Sequence, residues 1–489
     1  MAMMTVDSQT TMAQKTAKVV YVANDTIMTF YYDENEYAIA DSVYQFEVLK
    51  DTDLDEDGDP ETPEWITAQA TTDVTTVIFD PSFADFRPTT CHRWFFNRQI
   101  TSFVGMKEYL NTSDVTNMSE MFSSCGMDSL DLSSFNTEKV TDMSEMFMFS
   151  VALKYVDLSS FKTNSVKDMS AMFAICPFLE TLDLSSFNTK NVENMSLMFT
   201  PYYFSSSLTT LTLGSGFDMT KAEEANGTDM MFYAVDALTT LNLKGVPYVA
   251  DGTLNGLTGL TTVNYILDDE TTIYTGENYL PEVENVTCTY TRNNIGTQWG
   301  TIVVPFAITP DESKPYGFYE ISSVGDGKVV VSQISDEIAA GTPVILGINA
   351  DEVDGKTYDL TLSADEFDIS GDLTGNTVEG VALQGTYESL DVSGVSGYYE
   401  AENSFWSINS ESVLPFHAYL AGVAADDPDR LDISLDDDTA TAIDMIEAAA
   451  ETNGAVEIHD LMGRRLDGLR QGVNIVKFSN GETKKVIIK

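Results

Sequence analysis

One phrase recurs three times in the middle of the chain: LDLSSF begins at Leu130, VDLSSF at Val156 and LDLSSF at Leu182, each 26 residues after the last. A second phrase recurs in step with it. It reads NMSEMF, DMSEMF, DMSAMF and NMSLMF, and ends at Phe122, Phe147, Phe173 and Phe199. A fixed period of roughly 20–29 residues that carries L-x-x-L-x-L predicts a leucine-rich-repeat solenoid.

Each half of the repeat predicts a local structure. In Leu182-Asp183-Leu184 apolar and polar residues alternate, which predicts a strand with one buried face. In the second phrase Met143, Met146 and Phe147 share one face of a helical turn. The residues that precede these turns are good helix N-caps, namely Asn117, Asp142, Asp168 and Asn194. Glu120 and Glu145 follow them as in a capping box. No unit could bury its apolar face alone, so we expect the units to stack.

Residues 70–265 resemble the BspA-like leucine-rich-repeat proteins, a family of bacterial cell-surface adhesins. The Asn/Asp-Met-Ser-x-Met-Phe turns and the Leu-Asp-Leu-Ser-Ser-Phe strands carry this resemblance. It implies a protein that binds partners at the cell surface and that does not catalyse a reaction.

Charge restricts the partners. The 489 residues include 77 acidic and 26 basic ones, for a net charge of −51. Such a surface repels phosphate backbones and anionic lipids, so we expect no nucleic-acid partner. No apolar run is long enough to span a membrane. The first residues also lack the apolar stretch of a signal peptide. For a secreted protein attached to the outer membrane, this predicts a mature or engineered N-terminus.

The fold class that we expect is mixed and mainly β: a leucine-rich-repeat solenoid of short parallel strands and short helical turns, flanked by an N-terminal β cap and a C-terminal β-sandwich. Short strands separated by Gly, Asp and Asn turns predict the sandwich. The expected boundaries are a disordered tail at 1–16, the cap at 17–90, the solenoid at 91–266, a linker at 267–287, the sandwich at 288–425, an acidic linker at 426–450 and a C-terminal domain at 451–489.

The two C-terminal domains carry resemblances of their own. Segments such as WGTIVVPFAI, from Trp299, resemble a β-sandwich module of secreted Bacteroidetes proteins. The last residues resemble the C-terminal sorting domain of type IX secretion cargo, through the DLMGRR turn from Asp460, the GVNIVKF strand from Gly472 and the terminal KKVIIK. The second resemblance implies export and attachment to the cell surface.

A calcium loop is the sharpest local motif. Asp53, Asp55 and Asp57 alternate before Gly58, and Glu64 follows in the twelfth position. Hard oxygen ligands at this spacing suit Ca²⁺. Pro60 and Pro63 fall inside the loop and the flanks read as strands, so an acidic hairpin loop without metal is the alternative.

The repeat strands predict a binding face. Asp131, Asp157 and Asp183 point outward on successive strands, which places carboxylates about 5 Å apart. Such neighbours repel by roughly 1 kcal/mol in water. The polar face is completed by the residues two positions earlier, Ser129, Tyr155 and Thr181. The alternative is a face that is only solvated.

The aromatic insertion after the last regular repeat and the two cysteines of the repeats also allow predictions. The aromatic insertion Tyr202-Tyr203-Phe204 could stack on a sugar or pack on the solenoid. Cys125 and Cys176 are two repeats apart in one column, about 10 Å by strand spacing. That distance exceeds the reach of a disulfide, so we expect buried free thiols.

Motifs of the common hydrolases and nucleotide-binding enzymes are missing, and the three histidines are scattered. We therefore expect a non-enzymatic adhesin that recognises host extracellular or bacterial surface proteins through the repeat face. A carbohydrate-binding surface protein that captures glycans is the alternative. A glycoside hydrolase is the least favoured reading, because it needs two catalytic carboxylates and no pair stands out among 77.

Overall fold

The computed structural model describes residues 15–22, 25–37, 43–48, 61–67, 74–96, 99–245, 257–273, 283–392, 397–408, 412–422, 429–436, 457–460, 464–466, 472–477 and 483–488. The protein is mainly β with a solenoid-like arrangement of strands, which confirms the broad fold class. Two compact units form. The first comprises Met1–Tyr290 and Ser363–Phe367, and the second comprises Thr291–Leu362 and Asp368–Lys489.

The first unit opens with a five-stranded sheet in the order β3-β1-β2-β4-β5. Its strands are β1 Thr16–Val22, β2 Ile27–Asp33, β3 Val43–Glu47, β4 Thr76–Phe79 and β5 Ser102–Val104. The pairs β2–β4 and β4–β5 are parallel. Phe30 on β2 stacks on Trp94 at a ring distance of 5.3 Å. The sheet therefore packs against the beginning of the repeats.

The first three repeat strands lie at the positions that the LDLSSF phrase predicts, and four more strands follow them in the sequence. They are β6 Ser129–Asp131, β7 Tyr155–Asp157, β8 Thr181–Leu184, β9 Thr210–Gly214, β10 Thr240–Lys244, β11 Thr262–Asp268 and β12 Asn285–Ile295. The pairs β6–β7, β8–β9, β9–β10 and β10–β11 are parallel and keep equivalent residues in register. β12 adjoins β11 in the same sheet, and its first three residues, 285–287, lie inside the segment 267–287 that we predicted to be a linker.

A stack of phenylalanines runs through the interior of the repeats. Phe122, Phe147, Phe173 and Phe199 each lie face to face with the next ring, at 5.8, 5.4 and 6.0 Å between centroids and at 2–10° between planes. Phe95 and Phe232 extend the stack at its two ends. Each coil thus buries its apolar face only against its neighbours, as solenoids require.

The prediction of capped helical turns was wrong. The residues meant for the third helical position, Glu120 and Glu145, have φ of 53° and 57°, in the left-handed region, and Ala171 and Leu197 share this conformation. Asn117 does accept the N–H of Ser119, as an N-cap would, but no helix follows. Alternate N–H groups instead donate to the next coil, as from Glu145 to the oxygen of Ser170 at 2.8 Å. Hydrogen bonding between coils therefore replaces the helix.

A column of buried threonines joins the opposite corner of the coils. The hydroxyl of Thr163 donates to the carbonyl oxygen of Asn188 and accepts the N–H of the same residue, both at 2.8 Å. Thr112, Thr137 and Thr189 make the same pair of bonds to the coil that follows each of them. Thr137, Thr163 and Thr189 are 0% exposed. Each hydroxyl therefore satisfies two buried backbone groups where no strand is present.

The helices in the described part of the chain are short. They are α1 Glu64–Thr67, α2 Met106–Tyr109, α3 Thr220–Glu224 and α4 Ala350–Val353, with a 3-10 helix at Pro81–Asp85. Within the described ranges, no helix is long and apolar enough to cross a membrane.

The second unit contains a ten-stranded sheet in the order β13-β16-β14-β15-β25-β22-β21-β24-β19-β18. Its strands are β13 Trp299–Ile302, β14 Tyr316–Gly325, β15 Lys328–Gln333, β16 Val344–Ile348, β18 Thr374–Val378, β19 Val381–Gly385, β21 Gly397–Ala401, β22 Ser404–Ser407, β24 Ala418–Ala421 and β25 Arg430–Leu435. Trp299 and Leu383, from strands near the two ends of this order, share one apolar core, so the sheet curves around it.

One strand of this unit lies where we predicted a linker. β25 lies inside the segment 426–450 that we predicted to be an acidic linker, and it pairs in parallel with β15. Three short strands lie outside the ten-stranded sheet, β17 Tyr358–Ala364, β20 Leu390–Asp391 and β23 Ser412–Val413. The chain ends in an antiparallel sheet of order β27-β26-β28-β29, made of β26 Glu457–Asp460, β27 Arg465–Leu466, β28 Gly472–Lys477 and β29 Thr483–Ile488.

Candidate functional site

The six residues predicted for the binding face lie on strands β6, β7 and β8. We call the outward side of these strands the strand face. Ser129 pairs in register with Tyr155, and Asp131 pairs with Asp157. Tyr155 is 54% exposed, and the side chains of Asp131 and Asp183 are 56% and 58% exposed. The strands therefore present these groups to solvent, while Leu130, Val156 and Leu182 point into the core.

Two grooves cross the strand face. The first has a volume of about 520 Å³ and brings together Tyr155, Asp157, Thr181 and Asp183 with Ser159, Ser185, Thr210, Thr212 and Lys244. The second, about 540 Å³, holds Ser129 and Asp131 between Lys107 and Met127. The predicted residues are thus divided between two adjoining grooves.

Lysines pair with two of the three aspartates. Lys107 Nζ lies 2.9 Å from Asp131 Oδ2 and donates to Ser133 Oγ at 3.0 Å. Lys244 Nζ lies 3.3 Å from Asp183 Oδ2 and donates to Ser185 Oγ at 2.9 Å. The repulsion that we expected along this column is therefore relieved at both of its ends.

All three aspartates are held in the same way by their own chain. In each, Oδ1 accepts the backbone N–H of the serine two residues later: Ser133 to Asp131, Ser159 to Asp157 and Ser185 to Asp183, at 2.8–3.0 Å. This local turn follows from the Asp-x-Ser spacing of the repeat. In Asp131 and Asp183, Oδ2 accepts a hydrogen bond from a lysine.

The pKa values follow these contacts. Hydrogen bonds from the side chain and backbone of Ser133, and then from Lys107, lower the pKa of Asp131 to about 2. Burial acts to raise the pKa of Asp183, but the hydrogen bonds from Ser185 and the charge of Lys244 lower it overall. The hydrogen bond and charge of Asp131 raise the pKa of Lys107, and the charge of Asp157 adds to that effect. Both carboxylates are therefore ionised near neutrality.

Lys107 and Lys244 were not predicted from the sequence. Lys244 pairs in register with Gly214, two strands away from Asp183 by sequence order. A Cβ atom at Gly214 would lie 2.3 Å from the backbone oxygen of Ser185, so only glycine fits there. The missing side chain leaves Lys244 a path to Asp183. A lysine opposite a glycine in aligned repeats is the signal that could have revealed this contact.

The column that contains Asp183 changes from charged to neutral residues farther along the array. Asp183 is in register with Thr212, and Thr212 with Asn242. Asn242 donates to Thr212 at 3.3 Å, and Asn264 donates to Asn242 at 2.8 Å. Neutral amides and hydroxyls thus bond to one another there, and the charged part of the face is confined to its first half.

A second set of exposed side chains lies, along the sequence of each coil, between the phenylalanine of the stack and the strand that follows it. We call it the aromatic edge, and it consists of Phe149, Phe178, Tyr203, Phe204 and Tyr233. Tyr203 is 100% exposed and Phe204 is 50% exposed. Tyr203 and Phe204 of the insertion are therefore open to solvent, whereas Tyr202 is partly buried against the cluster of Ala171, Ala174 and Ile175.

The calcium prediction cannot be placed, because Asp53, Asp55 and Asp57 lie outside the described residues. Glu64 is the first residue of α1. Elsewhere in the described ranges no group of three or more His, Cys, Asp or Glu side chains could hold a metal ion.

The cysteine column is present. Cys125, Ser150 and Cys176 each donate to the carbonyl oxygen of a phenylalanine in the preceding coil, Phe95, Phe122 and Phe147. All four cysteines are buried and free. His92 is also buried, with Nδ1 2.7 Å from Ser119 Oγ, which suits a structural role.

Comparison with known proteins finds one family. A profile described as "Mycoplasma protein of unknown function, DUF285" matches residues 89–212. None of the curated proteins or solved structures compared with the chain matches it. The matched residues run from the first coil to β9 and contain the whole strand face. Over this stretch the chain is similar to the DUF285 proteins, which is compatible with a BspA-like repeat protein.

Proposed function

We propose that this chain is a non-enzymatic recognition protein of the BspA-like leucine-rich-repeat type, which binds surface proteins of a host or of other bacteria through the strand face. The carrying observation is the pair of adjoining grooves on β6, β7 and β8, walled by ordered carboxylates and lysines. Open surfaces built from stacked repeats suit extended partners. Ordered, solvent-exposed charge favours recognition over burial of a small molecule.

The flanking parts fit this role as accessories. The N-terminal sheet would cap the repeats, since its aromatic side chains cover Trp94 and Phe95 at the start of the stack. The C-terminal sheet of β26 to β29 would be the type IX sorting domain that directs export and attachment to the outer membrane. The curved ten-stranded sheet would be the sandwich-like module between them. A Bacteroidetes origin is part of this proposal.

Binding of glycans is the second candidate, and the aromatic edge favours it. Exposed tyrosine and phenylalanine rings can stack on the apolar faces of sugars, and Ser205 lies directly after Phe204 in the sequence. The strand face offers one exposed aromatic ring, Tyr155, among charged groups. The two candidates thus use different surfaces of the same coils.

The test compares two double variants of the immobilised chain. One variant carries Tyr155→Ala and Asp157→Asn in the strand face. The other carries Tyr203→Ala and Phe204→Ala in the aromatic edge. Both are probed with purified extracellular-matrix proteins, with bacterial surface extracts and with a glycan array. Loss of protein capture in the first variant alone supports the proposal. Glycan capture that disappears in the second variant alone supports the alternative, and protein capture equal in all three chains contradicts the use of the strand face.

A further inference from the structure

The three Asp-x-Ser turns of the strand face have the same sequence pattern and the same local hydrogen bond, but only two of them bind a lysine side chain. In two of them a lysine of the same chain bridges Oδ2 of the aspartate and Oγ of the serine: Lys107 at Asp131 and Lys244 at Asp183. In the third turn, Asp157 accepts the N–H of Ser159 at 3.0 Å. In the described part of the chain, no Lys, Arg or His nitrogen forms an ion pair with Asp157.

From this difference we infer that Asp157 and Ser159 receive a lysine side chain from the protein partner, so that the partner presents at least one exposed lysine to the first groove. This inference rests on the proposed protein-binding role of the strand face. The chain itself shows what the turn accepts, because the same two residue types hold an ammonium group in the coils before and after it.

The geometry favours lysine over arginine. A guanidinium binds a carboxylate best with two parallel hydrogen bonds, one to each oxygen. Oδ1 of Asp157 already accepts the N–H of Ser159, so a guanidinium that used both oxygens would have to share Oδ1 with that N–H, whereas Oδ2 is open within the described residues. An ammonium group needs one carboxylate oxygen and can give its next hydrogen to the serine hydroxyl, as Lys107 and Lys244 do.

The charge and the solvent exposure of this turn also favour binding of a lysine from a partner. Asp157 lies between two neutralised carboxylates, so it is the column's aspartate whose charge is not paired within the described structure. Ser159 is exposed, whereas Ser133 and Ser185, which already bind lysines, are half-buried. Tyr155, 54% exposed and on the same side of β7, offers a ring face to the approaching side chain.

The test is a binding measurement by fluorescence anisotropy with the full chain. The probe is a labelled peptide of three lysines separated by glycines, and its matched forms carry arginine or acetyl-lysine. Asp157→Asn should weaken binding of the lysine peptide about fivefold, as expected for loss of an exposed ion pair. Glu224→Gln on α3 removes the same charge outside the strand face and should change affinity less than about twofold.

A second variant should change the affinity for the lysine peptide in the opposite direction. Lys244→Met vacates Asp183 and Ser185 and should strengthen binding, while Lys221→Met, which makes the same charge change beside Glu193, should not. The inference would be overturned if Asp157→Asn and Glu224→Gln lost the same amount of affinity for the lysine peptide. It would also be overturned if the arginine peptide bound more tightly, or if free spermidine at equal charge displaced the lysine peptide. So would a wild-type chain that captures surface proteins but ignores the lysine peptide. Failure of the proposed function would appear separately, as protein capture that does not depend on the strand face.

Discussion

The hydroxyl of Thr163 is bonded to both backbone groups of Asn188, donating to its oxygen and accepting its N–H at 2.8 Å each. One side chain thus closes two hydrogen bonds between successive coils at a place where the chain forms no strand. The side chain is 0% exposed, so water cannot replace these bonds.

Thr163→Val should therefore destabilise the repeats strongly. Valine has nearly the same shape, but it leaves a buried N–H and a buried C=O without partners, at a cost of about 1–3 kcal/mol each. Urea unfolding monitored by circular dichroism measures the change. Thr141→Val is the matched control, since Thr141 donates to Thr116 from an exposed position and should lose less than about 1 kcal/mol. Equal losses in the two variants would contradict this role of Thr163.

Asp142→Asn should stabilise the chain near neutral pH. Burial, and then the charges of Asp168 and Glu120, act to raise the pKa of Asp142 above 3.8, against hydrogen bonds from Ser144. The ionised form is thus disfavoured in the fold, so wild-type stability should increase as the pH falls through the raised pKa. Asn117 and Asn194 already occupy this column and make the same bonds to their serines.

Asp142→Asn should be more stable than the wild type at pH 7, because asparagine removes a carboxylate whose ionised form the fold disfavours. Thermal unfolding between pH 4 and pH 8 should show a shallower pH dependence in the variant. Asp131→Asn is the comparison with opposite sign, because the pKa of Asp131 is lowered to about 2. Its ionised form is favoured by the fold, so that stabilising contribution is present above pH 4 and is lost as the pH falls toward 2. A less stable Asp142→Asn chain at pH 7 would refute this account.

Phe147→Ala should open a cavity in the phenylalanine stack. The ring is 0% exposed and lies between Phe122 and Phe173, and truncation of such a residue costs about 3–5 kcal/mol. Phe149→Ala, two residues later and 42% exposed, should cost less than about 0.5 kcal/mol. Denaturant unfolding of the two variants tests whether burial in the stack, and not aromatic content, stabilises the coils.

The native cysteines should resist alkylation. Burial raises the pKa of all four thiols, that of Cys176 to about 12, so very little thiolate is present at pH 8. Mass spectrometry after iodoacetamide treatment should find no modified cysteine in the folded chain and four in denaturant. Rapid native labelling of Cys125 or Cys176 would show that their column opens to solvent.

The period of the sequence was sufficient to predict much of this. The alternation in Leu182-Asp183-Leu184 predicted a strand and the side on which Asp183 lies, because strand geometry fixes both. The turns of the second phrase were mispredicted, because the spacing of Met143, Met146 and Phe147 fits a helix and also fits consecutive tight turns with left-handed residues. Bonds to the neighbouring coil decide between the two, and they are not visible within one repeat.

The binding face was predictable only in part. Counting residues was enough to place Asp131, Asp157 and Asp183 in one column. It could not predict that two of them pair with a lysine and one does not. This difference arises from Lys107, which comes from a helix outside the repeat pattern, and from Lys244, which crosses Gly214. The two lysine–aspartate pairs join residues of different coils that are 24 and 61 residues apart, and neither separation is a multiple of the 26-residue period.

The donor–acceptor order between coils has a consequence for how such a protein can change in size. Along the turns, N–H groups of one coil point to carbonyl groups of the next, as from Phe122 to Met146 and from Phe147 to Met172. The coils that contain Phe122, Phe147 and Phe173 repeat these bonds at equivalent positions, so duplication of one such period would lengthen the array by a single strand spacing without new types of bond. In-frame duplication of the corresponding DNA would therefore change the length of the repeat array in steps of one coil.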